Sequence, residues 1–251
     1  MTENSIKYKF EQFTFKNYRT ILENAKLNYS FITYDKVNLE SKDFILLRHD
    51  VDHSMHNALK MATIEHELNI VSTYFIHLHN EFYNFFEKEI SEIILKIIEL
   101  GHEVGLHFDV HYHHINTEEE LNELIQFEKS LLEKVINRNV KVFSFHNTNE
   151  FTMNCKEWSY GGLINTYANI FQSEVGYCSD SNGYWRFEVL QEIIMQKKYT
   201  KLQVLTHPEL WQEQVMSPKQ RIYHCADVNA DRIKRIYDEH LIEYKRENVD
   251  W

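Results

Sequence analysis

Only two prolines and six glycines occur among the 251 residues, so the chain is poor in the residue types that punctuate loops and linkers. No Pro/Gly/Ser-rich stretch, repeat or low-complexity tract divides it. A single domain is therefore expected, with residues 1–40 as an N-terminal extension packed on a main body over 41–251. Cysteine is scarce as well. Cys155, Cys178 and Cys225 are odd in number and not closely paired, which indicates neither a disulfide framework nor a CxxC metal site and fits a reducing compartment. No run approaches the roughly 18 to 20 apolar residues that a membrane span needs. The opening stretch MTENSIKYKFEQFTF lacks the apolar segment of a signal peptide, so a cytoplasmic location is expected. An excess of basic charge is also lacking: the formal net charge is -11, which argues against a nucleic-acid or anionic-membrane partner.

What is present is a core-forming composition, 43% apolar and 14% aromatic, together with 15 histidines. Short apolar runs alternate with longer helix-like stretches, the pattern of an α/β fold with parallel strands. Strands are expected at FILLRHD (44–50), IVSTYFIH (70–77), HEVGLHF (102–108), VKVFSFH (140–146), VGYCSD (175–180) and LQVLTH (202–207). A helix capped by Ser54 places Ala58, Met61, Ala62 and Glu65 at helical spacing. A second carries the stripe Ile90, Ile93, Ile94, Ile97 and Ile98 and stops at Gly101. A third opens at Thr117 with acidic residues in its first turn. A last helix is expected over residues 229–246.

Five of the six expected strands finish in His or Asp, and the sixth carries His107 one residue before its end. Asp50, His77, His107, His146, Asp180 and His207 all stand at or near a carboxyl end, the face where parallel α/β folds bind ligands. Asp50 and Asp52 are two apart, so an extended chain puts both on one face. His107 and His111 are four apart and share a side if the chain turns helically after the strand. Two imidazoles and one carboxylate make a three-ligand site that would suit Zn²⁺ or a similar divalent metal. The other aspartate would then act as general base and His207 as general acid from across the pocket. His53, His56, His66, His79, His224 and His240 stand apart from this pattern and are expected to be surface or structural residues.

The segments RHDVD, STYF, GHEVGLHFDVH, FSFHN, SDSNGYWR and LTHPELW, spread over residues 44 to 211, resemble the ordered motifs of the NodB-homology polysaccharide deacetylases, carbohydrate esterase family four. They are most similar to its "RHDVD" branch, small proteins associated with bacterial surface-polysaccharide clusters. The resemblance implies a distorted (β/α)7 barrel that hydrolyses an N-acetyl group on an amino sugar with a divalent metal, zinc first and Co, Mn, Ni or Fe as alternatives. It further implies Asp50 as base, Asp52, His107 and His111 as metal ligands, His207 as the acid for the leaving amine, Asp180 as its orienting carboxylate and Trp185 as an aromatic wall.

Three departures leave alternatives open. Val51 separates two aspartates that are adjacent in the family, so base and ligand are exchangeable. Phe108 replaces a Ser or Thr, and Asp109, His113 and His114 are further candidates for the third ligand. An arginine of the third motif is absent, His146 standing in its place, and Arg186 or Arg48 is expected to supply the positive charge. His146, Trp185, Arg186 and Trp211 are taken as substrate-binding, with Tyr74 and Tyr184 as further stacking surfaces. The acidic charge favours a small precursor, nucleotide-linked or lipid-linked, as partner. The rival readings are a non-sugar amide as substrate and a non-catalytic binding relative.

Overall fold

The computed structural model describes residues 2–249; Met1, Asp250 and Trp251, the outermost residues of the expected extension and main body, lie outside the described residues. Among the described residues nine strands are formed: β1 Ser30–Phe31, β2 Phe44–Val51, β3 Thr73–His77, β4 Glu103–Phe108, β5 Val142–Phe145, β6 Ser159–Tyr160, β7 Leu163–Asn165, β8 Gly176–Ser179 and β9 Lys201–Thr206. Ten α-helices accompany them among the described residues: α1 Glu3–Lys7, α2 Phe15–Lys26, α3 Met55–Glu67, α4 Lys88–Glu99, α5 Val110–His113, α6 Glu118–Ile136, α7 Glu150–Asn154, α8 Asn169–Glu174, α9 Leu190–Gln196 and α10 Pro218–Glu243. No helix of the described residues is long and apolar enough to cross a membrane.

The strands make one sheet in the order β6-β7-β5-β4-β3-β2-β9-β8. Neighbours from β7 to β8 are parallel, and β6 turns back antiparallel on β7. No pairing joins β8 to β6 or β7 among the described residues, so the sheet curls into a half-barrel that stays open. The chain is a single α/β domain of this kind. Residues 30–31, inside the expected extension, join the sheet, where β1 pairs with the first residues of β2. The six expected strands coincide with β2, β3, β4, β5, β8 and β9. The last helix does not match its expected start: it begins at Pro218 rather than 229, because Ser217 and Gln220 form a capping box and proline is tolerated in a first helical turn.

β2 shows how one strand builds both core and site. All eight residues are buried. Ile45 and Leu47 pack outward with Tyr18, Leu22, Leu190 and Ile193, whereas Phe44 and Leu46 pack inside the curl with Tyr34, Phe75, Phe171 and Val175. The twofold alternation of a strand continues past the apolar run, which puts Arg48 and Asp50 inside and His49 outside.

His49 meets a buried network on the helical side. Its Nε2 lies 2.9 Å from Glu65 Oε1, and His102 Nδ1 lies 3.4 Å from Oε2. The hydroxyls of Ser72 (2.5 Å), Tyr74 (2.9 Å) and Tyr18 also donate to this carboxylate. Burial opposes the charge on Glu65, but the two histidines and the Ser72 hydroxyl outweigh it and hold the carboxyl down at about 2. A lowered carboxylate contributes stability that is complete above its ordinary value near 4.5 and is lost as pH falls through about 2. Urea unfolding across that window should therefore show E65Q losing less stability on acidification than the unaltered chain, by on the order of 3 kcal/mol. Parallel losses in the two proteins would remove Glu65 as the cause.

Candidate functional site

The parallel register delivers side chains from adjacent strands to one rim. His77 pairs with His107 across β3 and β4, and His107 pairs with Ser144 across β4 and β5. His146 lies two residues beyond Ser144 and so shares its face. Asp52, just beyond β2, is the common neighbour. Its Oδ1 is 3.1 Å from His107 Nε2 and 3.4 Å from His146 Nδ1, and its Oδ2 is 3.9 Å from His207 Nε2. The two ring nitrogens are themselves 3.3 Å apart.

This packing has the character of a cation site. Asp52 Oδ1 is buried and, despite these short separations, has no hydrogen-bond partner of proper geometry among the described residues. His107 Nδ1 lies 3.3 Å from the Ser144 carbonyl, which fixes the proton there and leaves Nε2 as a lone pair. Asn147 Nδ2 donates to His146 Nε2 at 2.8 Å, an arrangement that places the His146 proton on Nδ1 unless a cation replaces it. One carboxylate oxygen and two imidazole nitrogens, mutually within 4.8 Å, match the ligand chemistry of zinc and related divalent ions. Burial opposes the charge on Asp52, yet His107, His146 and His207 together carry its carboxyl well below the usual range.

Asp50 lies deeper on the same face. Its Oδ2 accepts from Ser144 Oγ at 3.1 Å and from Arg48 Nη2 at 3.5 Å, and it lies 3.9 Å from His107 Nε2. Its Oδ1 is buried without a hydrogen-bond partner among the described residues. Arg48, fully buried, also donates to Thr166 Oγ1 (2.5 Å) and the Tyr167 hydroxyl (3.1 Å) and lies over the Phe75 and Tyr167 rings.

Across the cavity, Asp180 is fully buried and holds His207. It accepts the backbone N–H of His207 at 3.1 Å on each oxygen, His207 Nδ1–H at 2.7 Å and Trp211 Nε1–H at 3.0 Å. Burial works against a charged His207, but Asp180 and then Asp52 overcome it and push its pKa up to about 10. Nε2 is thereby left as a proton-bearing group facing Asp52.

A cavity of about 700 Å³ opens over these groups, lined by Asp50, Asp52, His107, His146 and His207 at its base. Tyr167, Phe171 and Tyr177 line its side. Thr166, Tyr167 and Ser144 were not singled out in the sequence. Ser144 stands at strand spacing from His146, which is a usable signal; the loop holding Thr166 and Tyr167 offers none.

Several expected residues take other positions. His111 lines the cavity but sits in a four-residue helix capped by Asp109, where its Nε2 donates to the Asn147 carbonyl at 2.8 Å. His146 therefore occupies the place in the converging set that His111 was expected to fill. His113 turns away to Glu128. Trp185 packs on Phe13 and Trp211 on the outer side, with ring centroids at 5.2 and 6.1 Å, because the N-terminal segment covers it there. Trp211 is fully buried and supports Asp180, so it faces no substrate. Arg186 is exposed over Phe187, leaving Arg48 as the cation beside Asp50. Tyr74 is buried on Glu65, and Tyr184 packs on Tyr8.

No protein-family model matches the chain, and no curated protein matches it. Solved structures that align with it include a CE4-family pseudoenzyme from Bacillus anthracis, at 19% identity over 76% of this chain and 60% of that one, TM-score 0.41. Another is a family 4 carbohydrate esterase from Bacillus anthracis, at 14% identity over 84% and 86% of the two chains, TM-score 0.43. A third is a family 4 acetyl xylan esterase from Clostridium thermocellum in complex with a cobalt ion, at 12% identity over 81% and 92%, TM-score 0.38. The chain spans about three fifths of the length of the first of these.

Proposed function

We propose that this protein is a metal-dependent N-deacetylase of the family four carbohydrate-esterase type, which hydrolyses an N-acetyl group on an amino sugar to a free amine and acetate. The observation that carries this reading is the placement of three different tools around one cavity. Asp52, His107 and His146 form a donor set for a divalent ion, Asp50 presents an unpartnered oxygen, and Asp180 orients His207.

A divalent ion on the donor set, zinc first and Co, Mn, Ni or Fe as alternatives, would supply Lewis-acid polarisation of an amide carbonyl and acidify water. The chain's own residues do the rest. Asp50 takes a proton from the attacking water through its free oxygen, while Arg48 and Ser144 hold its other oxygen in place. His207 gives its Nε2 proton to the departing nitrogen as the carbon–nitrogen bond breaks, because an amine leaves poorly without one. Asp180 fixes the imidazole in the orientation this requires.

The cavity also constrains the substrate. Its aromatic side, Tyr167, Phe171 and Tyr177, offers apolar faces with polar edges suited to a sugar ring. No lysine or arginine is among its described lining residues, and the cationic imidazole of His207 is taken up by Asp180, so the lining offers no spare cation for a phosphate. A nucleotide-linked or lipid-linked precursor would leave its diphosphate outside. The three unpaired thiols support a reducing, cytoplasmic setting.

The test is acetate release by the chelator-stripped chain reloaded with Zn²⁺ or Co²⁺, offered N-acetylhexosamine oligomers, nucleotide- and lipid-linked N-acetyl sugars, and non-sugar acetamides. Release from sugars alone is expected. Release only from the non-sugar amides would move the assignment to another carbon–nitrogen hydrolase. A metal-loaded protein inert on all of them would be a binding relative without turnover.

A further inference from the structure

α6 buries the stripe Leu121, Ile125, Glu128, Leu132 and Ile136, so a glutamate occupies a position where the helical period calls for an apolar residue. Its side chain has no solvent exposure. His79, two residues past β3, brings Nε2 to 3.0 Å from Glu128 Oε1, and His113, the last residue of α5, brings its own Nε2 against the same oxygen. Glu128 Oε2 is buried and has no hydrogen-bond partner among the described residues. The histidine rings are held by their surroundings: His79 stacks on Tyr112 at 3.7 Å, and His113 stacks on Phe108 at 5.2 Å.

A buried carboxylate with one idle oxygen and two imidazoles crowded on the other is poorly served by hydrogen bonds alone. An unsatisfied buried acceptor is destabilising, and more so when it is charged. Two imidazole nitrogens and a carboxylate oxygen, all within 4.8 Å of one another, are the ligand types of a zinc site. We propose that His79, His113 and Glu128 form a second divalent-cation site, structural in role, distinct from the donor set around Asp52.

The site ties the end of β3 and the single turn of α5 to α6. α5 is too short to hold itself by its own hydrogen bonds. It presents His111 to the cavity, while His113, two residues on, reaches the other way. A cation clamping His113 would therefore set where His111 stands at the cavity rim.

The test uses the full chain, stripped with chelator, reloaded with excess Zn²⁺ and desalted, with bound zinc measured by mass spectrometry. Two equivalents per chain are expected for the unaltered protein. One is expected for H79A, H113A and E128Q, each keeping the equivalent that D52N removes. Added Zn²⁺ should still raise the unfolding temperature of D52N by several degrees, and should not do so in D52N/H79A. His79 is partly exposed at the margin of the cluster, so H79A decides the matter if the other variants fail to fold. Zinc content and zinc-induced stabilisation unchanged in H79A would overturn the proposal. A single equivalent in the unaltered protein, kept in D52N and lost in H79A, would count against the deacetylase reading and leave this site standing.

Discussion

Asp50→Asn should lower acetate release by about 10²- to 10⁴-fold while the protein keeps its full zinc content, as expected for loss of a general base. Asp52→Asn and His146→Ala should abolish turnover and lower bound zinc by one equivalent. The two aspartates differ in their surroundings: Asp52 stands 3.1 and 3.4 Å from two imidazole nitrogens, whereas Asp50 is held by Ser144 and Arg48 with one oxygen free. His111→Ala is the sharpest member of the set. With its Nε2 engaged by the Asn147 carbonyl, its removal should leave zinc binding intact and lower activity only modestly. Zinc lost from H111A and retained in H146A would return the third ligand position to His111. Zinc lost from D50N and retained in D52N would exchange the roles of the two carboxylates.

The contrast between His111 and His146 also shows what a single sequence can display. Each main strand carries an ionisable residue at or just beside its carboxyl end, so the strands and their chemical ends are legible one by one. Which ends become neighbours depends on sheet order and register, and those arise from packing between segments distant in sequence. His107 and His111 look paired because four residues suit a helix, but α5 is a single turn whose cap directs His111 to a backbone carbonyl. His146 reaches the cluster because β5 lies beside β4 with Ser144 opposite His107. The aromatic residues failed for a related reason. Trp185 and Trp211 sit in two motif-like segments, but Phe13, far away in sequence, packs on both and Tyr18 packs on Trp211. Glu128 and His79 were illegible as a pair, since only the fold brings a helix interior against the end of β3.

Arg48→Met should cost about 3–5 kcal/mol of stability, the range for removing one member of a buried ion pair and stranding the other. Arg48 has no exposed surface and Asp50 has 2%, so water cannot replace the lost partner. Arg48→Met with Asp50→Asn should recover part of that loss, because the stranded charge is then gone. Urea unfolding of the two single variants and the double variant gives the coupling directly. Additive losses would mean that Arg48 serves Thr166 and Tyr167 rather than Asp50. Arg48→Lys is expected to be intermediate, since a single ammonium cannot reproduce the planar fork that reaches Thr166, Tyr167 and Asp50 together. Activity supplies an independent reading of the same site. R48M should fall by at least about 10²-fold, in the manner of losing the base it positions. Arg186, exposed over Phe187, should be replaceable by alanine with no change in either stability or turnover. An R186A variant as impaired as R48M would reassign the positive charge of the site to Arg186, which would then have to swing into the cavity when substrate binds.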